Sequence, residues 1–129
     1  MFRLVKVLNG NNQCEVYKIK PSPSANISPG CALIIASGMV TNSTATMCPE
    51  YIALGEEDNA LGRVNVMVVT EDMVFKVEFT GTTSPLVGMT VGLSNYTGKM
   101  DGVTYNTSGK GRIVAVDDTG KYVYVRFRK

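Results

Sequence analysis

The sequence predicts an all-β protein, a small antiparallel β-barrel or sandwich with a Pro-rich loop and little or no helix. Apolar and polar residues alternate with a period of two in several short runs. Turn residues, among them 13 glycines and 5 prolines, separate these runs at short intervals. No segment carries an apolar stripe at helical spacing over three turns. With 129 residues, the chain is expected to form a single domain, residues 1–129.

The first half of the chain contains the weaker strand signals. FRLVKVL, at residues 2–8, is rich in β-branched and aromatic residues and is followed by an NGNN turn. CEVYKIK, at 14–20, is predicted to be a strand with an apolar second face. A buried strand before the Ser37-Gly38 turn and a return strand from Met39 form the next pair.

The stretch TATMCPEYIALGEED, residues 44–58, poses a choice between helix and strand. Pro49 disfavours helical geometry for the residue before it, so a helix running through the stretch is not expected. Residues 51–54 are therefore predicted to be a strand packed by Ile52 and Leu54, and residues 56–58 a solvated acidic turn.

The second half of the chain alternates more strongly. The runs are VNVMVV, MVFKVEF, RIVAVD and KYVYVRF. Two hairpin-sized turns join them in pairs: TEDM lies between 64–69 and 73–79, and DDTG lies between 112–117 and 121–127. The alternation groups the following residues on common faces: Val64 with Val66 and Val68; Met73 with Phe75, Val77 and Phe79; Ile113 with Ala115; Val114 with Val116; and Val123 with Val125 and Phe127.

Two segments depart from this pattern. Residues 20–30 hold three prolines and are predicted to be an extended loop or arm, because proline lacks the donor that a central strand needs. Residues 80–111 are rich in Gly, Thr, Ser and Asn, and are expected to be loops with short strands at LVGMTVGL and GVTYN. Loops of this kind often carry binding contacts on a rigid scaffold.

The composition argues against an enzyme. The chain has no histidine, so neither a Ser-His-Asp nor a Cys-His arrangement is possible within it. Cys14, Cys31 and Cys48 lack the short spacing of a zinc site and are odd in number, so we expect free buried thiols. No cofactor or metal is predicted.

Three short motifs have ordinary explanations. The Asp118-Thr119-Gly120 tripeptide of aspartic proteases lies between two alternating strands, where a hairpin turn is expected. GKGR, at 109–112, lacks the spacing of a phosphate loop, and the acidic run at 56–58 lacks that of an EF-hand. The C-terminal RFRK places Arg126 and Arg128 on one strand face, which predicts a solvated strand end or a contact with an acidic partner.

Charge and hydropathy limit the partners. The net charge of +2 and the absence of clustered lysines argue against nucleic acid, although six tyrosines would suit stacking on single strands. The longest dense apolar run, 31–36, is too short to span a bilayer, and the opening residues do not resemble a signal peptide. We therefore expect synthesis in the cytoplasm and no membrane partner.

Residues 28–79 resemble the head decoration, or capsid cement, proteins of tailed bacteriophages. The segment SPGCALIIASGMVTNSTATMCPEYIALGEED contains a glycine-bounded apolar hairpin, then Thr-Ala, then a Pro-x-aromatic-Ile-Ala step. The next segment, GRVNVMVVTEDMVFKVEF, is similar to the following strand pair of that family. The remainder matches in character only, and the N-terminal strand differs from the disordered arm that many such proteins have.

The resemblance implies a structural protein that binds the outer surface of an icosahedral phage capsid and bridges neighbouring major capsid subunits. It also implies a homo-oligomer, with a trimer favoured at local threefold positions. Expected contacts lie in the N-terminal strand, the Pro-rich loop, the Gly-rich loops and the C-terminal strand. The candidate contact residues are Phe2, Arg3, Pro21, Pro23, Pro29, Tyr96, Tyr105, Arg126 and Arg128. The alternative is another phage structural β-barrel module, such as a tail, neck or adaptor protein.

Overall fold

The computed structural model describes residues 1–8, 14–55 and 62–129. These ranges contain strands and turns but no helix, which confirms the all-β prediction. The predicted turns at NGNN and at 56–58 lie outside the described residues. The described strands are β1 (Arg3–Val7), β2 (Val16–Ile19), β3 (Ala32–Ala36), β4 (Met39–Asn42), β5 (Tyr51–Ala53), β6 (Val64–Val68), β7 (Met73–Phe79), β8 (Thr90–Ser94), β9 (Gly102–Tyr105), β10 (Gly111–Val116) and β11 (Tyr122–Phe127).

The second half of the chain forms a small closed barrel. Strands β7, β11, β10, β8 and β9 pair in that order, and β9 returns to β7 to close the ring. The β7–β9 pairing is parallel, and the other pairings in the ring are antiparallel. β1 pairs with residues 73–76 of β7, on the same edge that β9 uses at residues 78–79. Closure of the ring leaves few unpaired edges in this half of the molecule.

Three aromatic rings pack inside the barrel. Phe75 and Phe127 are buried because every second residue of β7 and β11 faces inward. The ring of Phe2 packs edge-on against both, with centroid distances of 6.2 Å to Phe75 and 5.7 Å to Phe127. Burying one such side chain contributes about 1.5–3 kcal/mol, so Phe2 anchors β1 to the barrel.

The other strands form a second sheet that curls around its own core. Their order is β2, β6, β5, β3 and β4. Directly after β2, the chain reaches the opposite edge: the Val40 N–H donates to the Lys20 carbonyl (3.0 Å), and the Ser22 N–H donates to the Val40 carbonyl (2.8 Å). The side chains buried in this smaller core are Cys31, Leu33, Val40, Ala53, Val64 and Val66.

Strand β6 contributes to both cores. Val64 and Val66 face the smaller core, as the predicted alternation requires, whereas Met67 and the following Val69 belong to the barrel core. Hydrogen bonds also join the two halves, from Ala32 N–H to the Met100 carbonyl and from Leu93 N–H to the Ala45 carbonyl, each 3.0 Å. The two sheets therefore pack as one unit.

Three local predictions are corrected. The TEDM turn does not close a hairpin, because β6 and β7 belong to different sheets and the turn carries the chain between them. Leu54 is 47% exposed, since β5 ends at Ala53 and the chain leaves the sheet there. In β10, Ala115 is exposed and Val116 packs on the core, because a β-bulge at Val114 reverses the alternation that begins at Ile113.

The two unusual segments are held against the sheets. In residues 20–30, Asn26 and Asn42 exchange two hydrogen bonds of 2.8 Å, and the Gly30 N–H donates to the Ala53 carbonyl (2.7 Å). The predicted short strands within residues 80–111 are present as β8 and β9. Since these two strands complete the ring, this Gly-rich segment is part of the barrel framework.

Candidate docking face

The hairpin of β10 and β11 brings basic side chains together on the outside of the barrel. Gly111 pairs with Phe127, and Arg112 lies directly opposite Arg126. Phe127 faces the core, so the two arginines on the other face point outward. The Arg128 N–H donates to the Lys110 carbonyl (2.9 Å), which continues the pairing beyond the strand ends. We define the basic cluster as Lys110, Arg112, Arg126, Arg128 and Lys129.

Most of the basic cluster is exposed and surrounds an open pocket. Arg126 is half-buried, and its four neighbours in the cluster are exposed. Thr90 and two glycines complete a pocket of about 350 Å³ that has no Asp or Glu side chain in its lining. The residues that line it are Thr90, Gly109, Lys110, Gly111, Arg112, Arg128 and Lys129.

Arg126 is held in place by the turn between β6 and β7. Its Nε and Nη2 donate to the backbone carbonyl of Glu71 at 3.1 and 2.9 Å. The carboxylate of Glu71 accepts the backbone N–H of Lys129 at 3.2 Å. Glu71 thus positions the strand end, and it lines an adjoining pocket of about 340 Å³ together with Arg112, Val114, Arg126, Phe127 and Arg128.

An apolar groove adjoins the basic cluster. Val5 and Val114 are the extra residues of two β-bulges, one in β1 and one in β10, and they are 49% and 39% exposed. The groove has a volume of about 450 Å³ and meets the basic cluster at Arg126, which lines both. We define the apolar groove as Val5, Leu8, Val74, Val114, Ala115 and Tyr124, with Lys6 and Arg126 at its border.

The outer face continues across β7 toward β1. Arg3 lies opposite Lys76, and Lys76 lies opposite Tyr124, so the three side chains form one row on the outside of the barrel. The Lys76 ammonium is 4.9 Å from the ring centre of Tyr122 and 5.9 Å from that of Tyr124. These cation–π contacts hold the wall of the groove in one arrangement.

The predicted contact residues fall into separate groups. Arg126 and Arg128 meet in one pocket, and Arg3 lies on the same outer surface. Pro21 is half-buried beside Val40, whereas Pro23 and Pro29 are exposed on the loop that covers the second sheet. Tyr96 and Tyr105 are 54% and 51% exposed, in the loop after β8 and at the end of β9.

Phe2 must be removed from the predicted contacts. Its side chain is only 3% exposed and packs among the barrel phenylalanines. The predicted contact at Phe2 is therefore wrong, because this apolar side chain fills the barrel core.

Sequence reasoning missed Lys110, Arg112 and the two bulge valines. A signal for Arg112 was present, because a hairpin centred on DDTG brings the start of β10 near the end of β11. Bulges leave no comparable signal in an alternating sequence, so Val5 and Val114 were not identified as groove residues.

The titratable groups with shifted pKa values have structural explanations. Burial raises the pKa of the thiols of Cys31 and Cys48, which keeps them protonated. All three cysteines are free, and Cys31 is buried as predicted, whereas Cys14 and Cys48 are only partly buried. At the hairpin turn, desolvation opposes ionisation of Asp117, but hydrogen bonds from Thr119, Tyr122 and Gly120 outweigh it and lower the pKa.

The Asp118-Thr119-Gly120 tripeptide occupies the predicted turn. Gly120 has a positive φ of 70°, and the Thr119 hydroxyl donates to the Asp117 carboxylate at 3.0 Å. Within residues 1–8, 14–55 and 62–129, no group of three or more Cys, Asp or Glu side chains is placed to hold a metal ion. The same ranges contain no helix of the length and apolar character that would cross a membrane.

Comparison with models of known protein families, with curated proteins and with solved structures finds no match.

Proposed function

We propose that this protein is a structural protein of a tailed bacteriophage that binds the outside of the capsid and bridges neighbouring major capsid subunits. It acts on the virion surface as a homo-oligomer, with a trimer favoured. Residues 28–79 support the proposal through their resemblance to head decoration proteins. The β3–β4 hairpin and β5 lie where that resemblance expects strands.

The observation that carries the proposal is the apolar groove bordered by cations on the wall of a closed barrel. Stable protein interfaces have an apolar centre and a polar rim, and exposed apolar patches on soluble domains often mark such interfaces. Apart from Leu8, the groove residues lie on paired strands, so most of the groove's shape is set before binding. A protein that stiffens a shell needs such a preformed surface, because ordering a flexible segment on binding would weaken each contact.

A binding experiment with undecorated capsids tests the proposal. Purified protein is added to capsids assembled from the major capsid protein of the same phage, and bound protein is measured after sedimentation. We expect saturable binding with copies in the hundreds per particle, because a decoration protein occupies repeated positions on the shell. Absence of saturable binding at micromolar protein would refute the proposal.

A matched pair of variants locates the contact. Val114→Asp places a charge in the apolar groove and is expected to weaken capsid binding. Val16→Asp makes the same change at a position 52% exposed on β2, in the other sheet, and should leave binding unchanged. Copy number separates the alternative: about six or twelve copies per particle, as in a ring, would indicate a tail, neck or adaptor protein.

A further inference from the structure

We infer that the basic cluster and the apolar groove together bind an acidic segment of a protein partner that carries an aliphatic side chain. The carboxylates of the segment contact the arginines and lysines, and its aliphatic side chain enters the groove. This inference rests on the proposed function only for the identity of the partner, and it adds the chemistry of the segment that the shell would present.

Five cations share the basic cluster, and the Glu71 carboxylate, which lines one of its two pockets, offsets only part of their charge. An ion pair joins Met1 to Glu78, away from the cluster. Arg126 uses two N–H groups on a neutral carbonyl, that of Glu71. Arg112 faces Arg126 across the hairpin, and like charges directly opposite each other are unfavourable. A bound carboxylate would relieve this repulsion.

The pocket at the strand ends suits carboxylates. Arg112 and Arg128 line both pockets of the basic cluster, so one anion can reach both guanidinium groups. Guanidinium groups bind planar carboxylates through paired hydrogen bonds, which adds geometric selectivity to the charge attraction.

The adjoining groove favours a peptide over a nucleic acid. A nucleic acid would use the cations through its phosphates but would leave the aliphatic wall of Val5, Leu8 and Val114 without a partner. Stacking of bases requires free aromatic faces, whereas Tyr124 is half-buried and has the Lys76 ammonium over its ring. An acidic peptide with one aliphatic residue matches both parts of the surface.

The test measures binding of a synthetic probe to the full chain. The probe is the peptide Asp-Glu-Leu-Asp-Glu labelled with fluorescein. Its binding is measured by fluorescence anisotropy at low and at moderate salt concentration. We expect saturable binding that weakens as salt increases, because the charged contacts are exposed. Replacing Leu by Ser in the peptide, or Val114 by Ser in the protein, should weaken binding about fivefold through loss of apolar contact.

Charge variants with matched controls test the cations. The double variant Arg112→Gln/Arg128→Gln should weaken peptide binding about tenfold, because it removes two exposed charge contacts. The double variant Lys110→Gln/Lys129→Gln also removes two charges of the basic cluster, and both of its substitutions lie outside the strands. It therefore tests the cations even if Arg112→Gln/Arg128→Gln alters the hairpin. Lys18→Gln/Lys121→Gln removes the same charge from exposed positions on other surfaces and should bind like the wild type.

Several results would overturn the inference. The first is the absence of saturable peptide binding. The second is peptide affinity of both cluster variants equal to that of the control variant. The third is tighter binding of oligothymidylate than of the peptide, with an affinity that Val114→Ser does not change. Capsid binding separates this inference from the proposed function. If the wild type and Arg112→Gln/Arg128→Gln bind capsids equally, the inference fails and the function stands. If the wild type binds the peptide through these residues but does not bind capsids, the function fails and the inference stands.

Discussion

Three glycines within residues 80–111 permit close packing against other parts of the chain. A β-carbon at Gly109 would overlap the carbonyl group of Val91, and one at Gly92 would overlap the Ala45 carbonyl oxygen. A β-carbon at Gly102 would lie 2.9 Å from the β-carbon of Tyr96. A high glycine content suggested loops, but at these positions glycine is required because another part of the chain occupies the space of a side chain.

Gly109→Ala should therefore destabilise the fold. The added methyl group meets backbone atoms, which move less easily than a side chain, so we expect a loss of about 2–3 kcal/mol in the free energy of unfolding. Gly55→Ala is the matched control, because no atom lies within 4 Å of the added carbon there. Urea denaturation of both variants measures the difference in the free energy of unfolding. Equal stability of the two variants would show that the backbone around Gly109 can move to accommodate the methyl group.

Asp101 is a buried acidic residue with a structural task. It is 4% exposed, and its carboxylate accepts hydrogen bonds from the backbone N–H of Thr97 (2.9 Å) and from the Thr97 hydroxyl. Desolvation opposes its ionisation, but these hydrogen bonds outweigh it, so the pKa of Asp101 is lowered. The ionised side chain holds the loop between β8 and β9, whose Met100 carbonyl accepts a hydrogen bond from Ala32 of the second sheet.

Asp101→Asn should destabilise the protein by about 1–2 kcal/mol at pH 6, because the neutral amide replaces two charge-assisted hydrogen bonds from Thr97 with weaker neutral ones. A lowered pKa means that the folded state binds fewer protons, so this stabilisation is present above the unfolded pKa near 4 and is lost as the pH falls below it. Urea denaturation at pH 6 and pH 3 should show the difference between wild type and variant shrinking at pH 3. A difference in the free energy of unfolding that stays constant between the two pH values would refute this role. Asp118→Asn, in the exposed turn, is the control and should be as stable as the wild type.

Two β-bulges shape the candidate docking face at the level of strands. Pairing that continued from the DDTG turn without interruption would place Arg112 opposite Phe127. The bulge at Val114 shifts the pairing by one residue, so that Arg112 meets Arg126. The same bulge turns Val114 outward into the apolar groove, as the bulge in β1 does for Val5. One extra residue per strand therefore produces both the paired arginines and the groove walls.

The bulge in β10 predicts which of two neighbouring residues matters for stability. Val116→Ser should cost about 1–2 kcal/mol, because Val116 packs on the barrel core after the bulge. Ala115→Ser should change stability by less than about 0.5 kcal/mol, because Ala115 faces outward. Thermal and urea denaturation of both variants provide the measurement. A larger loss of stability for Ala115→Ser than for Val116→Ser would contradict the bulge and would support the uninterrupted alternation that the sequence alone predicts.

The described residues form a closed barrel and a curled sheet, and strand β6 of the curled sheet contributes side chains to both cores. Val66 packs in one core and the adjacent Met67 in the other, so neither core is complete without this strand. The docking face lies on the barrel side, formed by strands from the beginning and the end of the chain, β1 and β11. Binding there would load the barrel wall directly, which suits the proposed role of joining subunits of a shell.

Local chemistry was sufficient to predict the strands, several turns and the absence of helix from the described residues. Alternation, Pro49 and the turn residues each constrain the backbone within a few positions along the chain. The inward positions of β7 and β11 followed from the same rule. Which strands pair depends on contacts between distant residues, and so the separation of β6 from β7, the closure at β9 and the burial of Phe2 required the tertiary structure. The docking face belongs to this second group. Lys110 and Arg112 join Arg126 and Arg128 only through the folded hairpin, and the bulges set which side chains face outward.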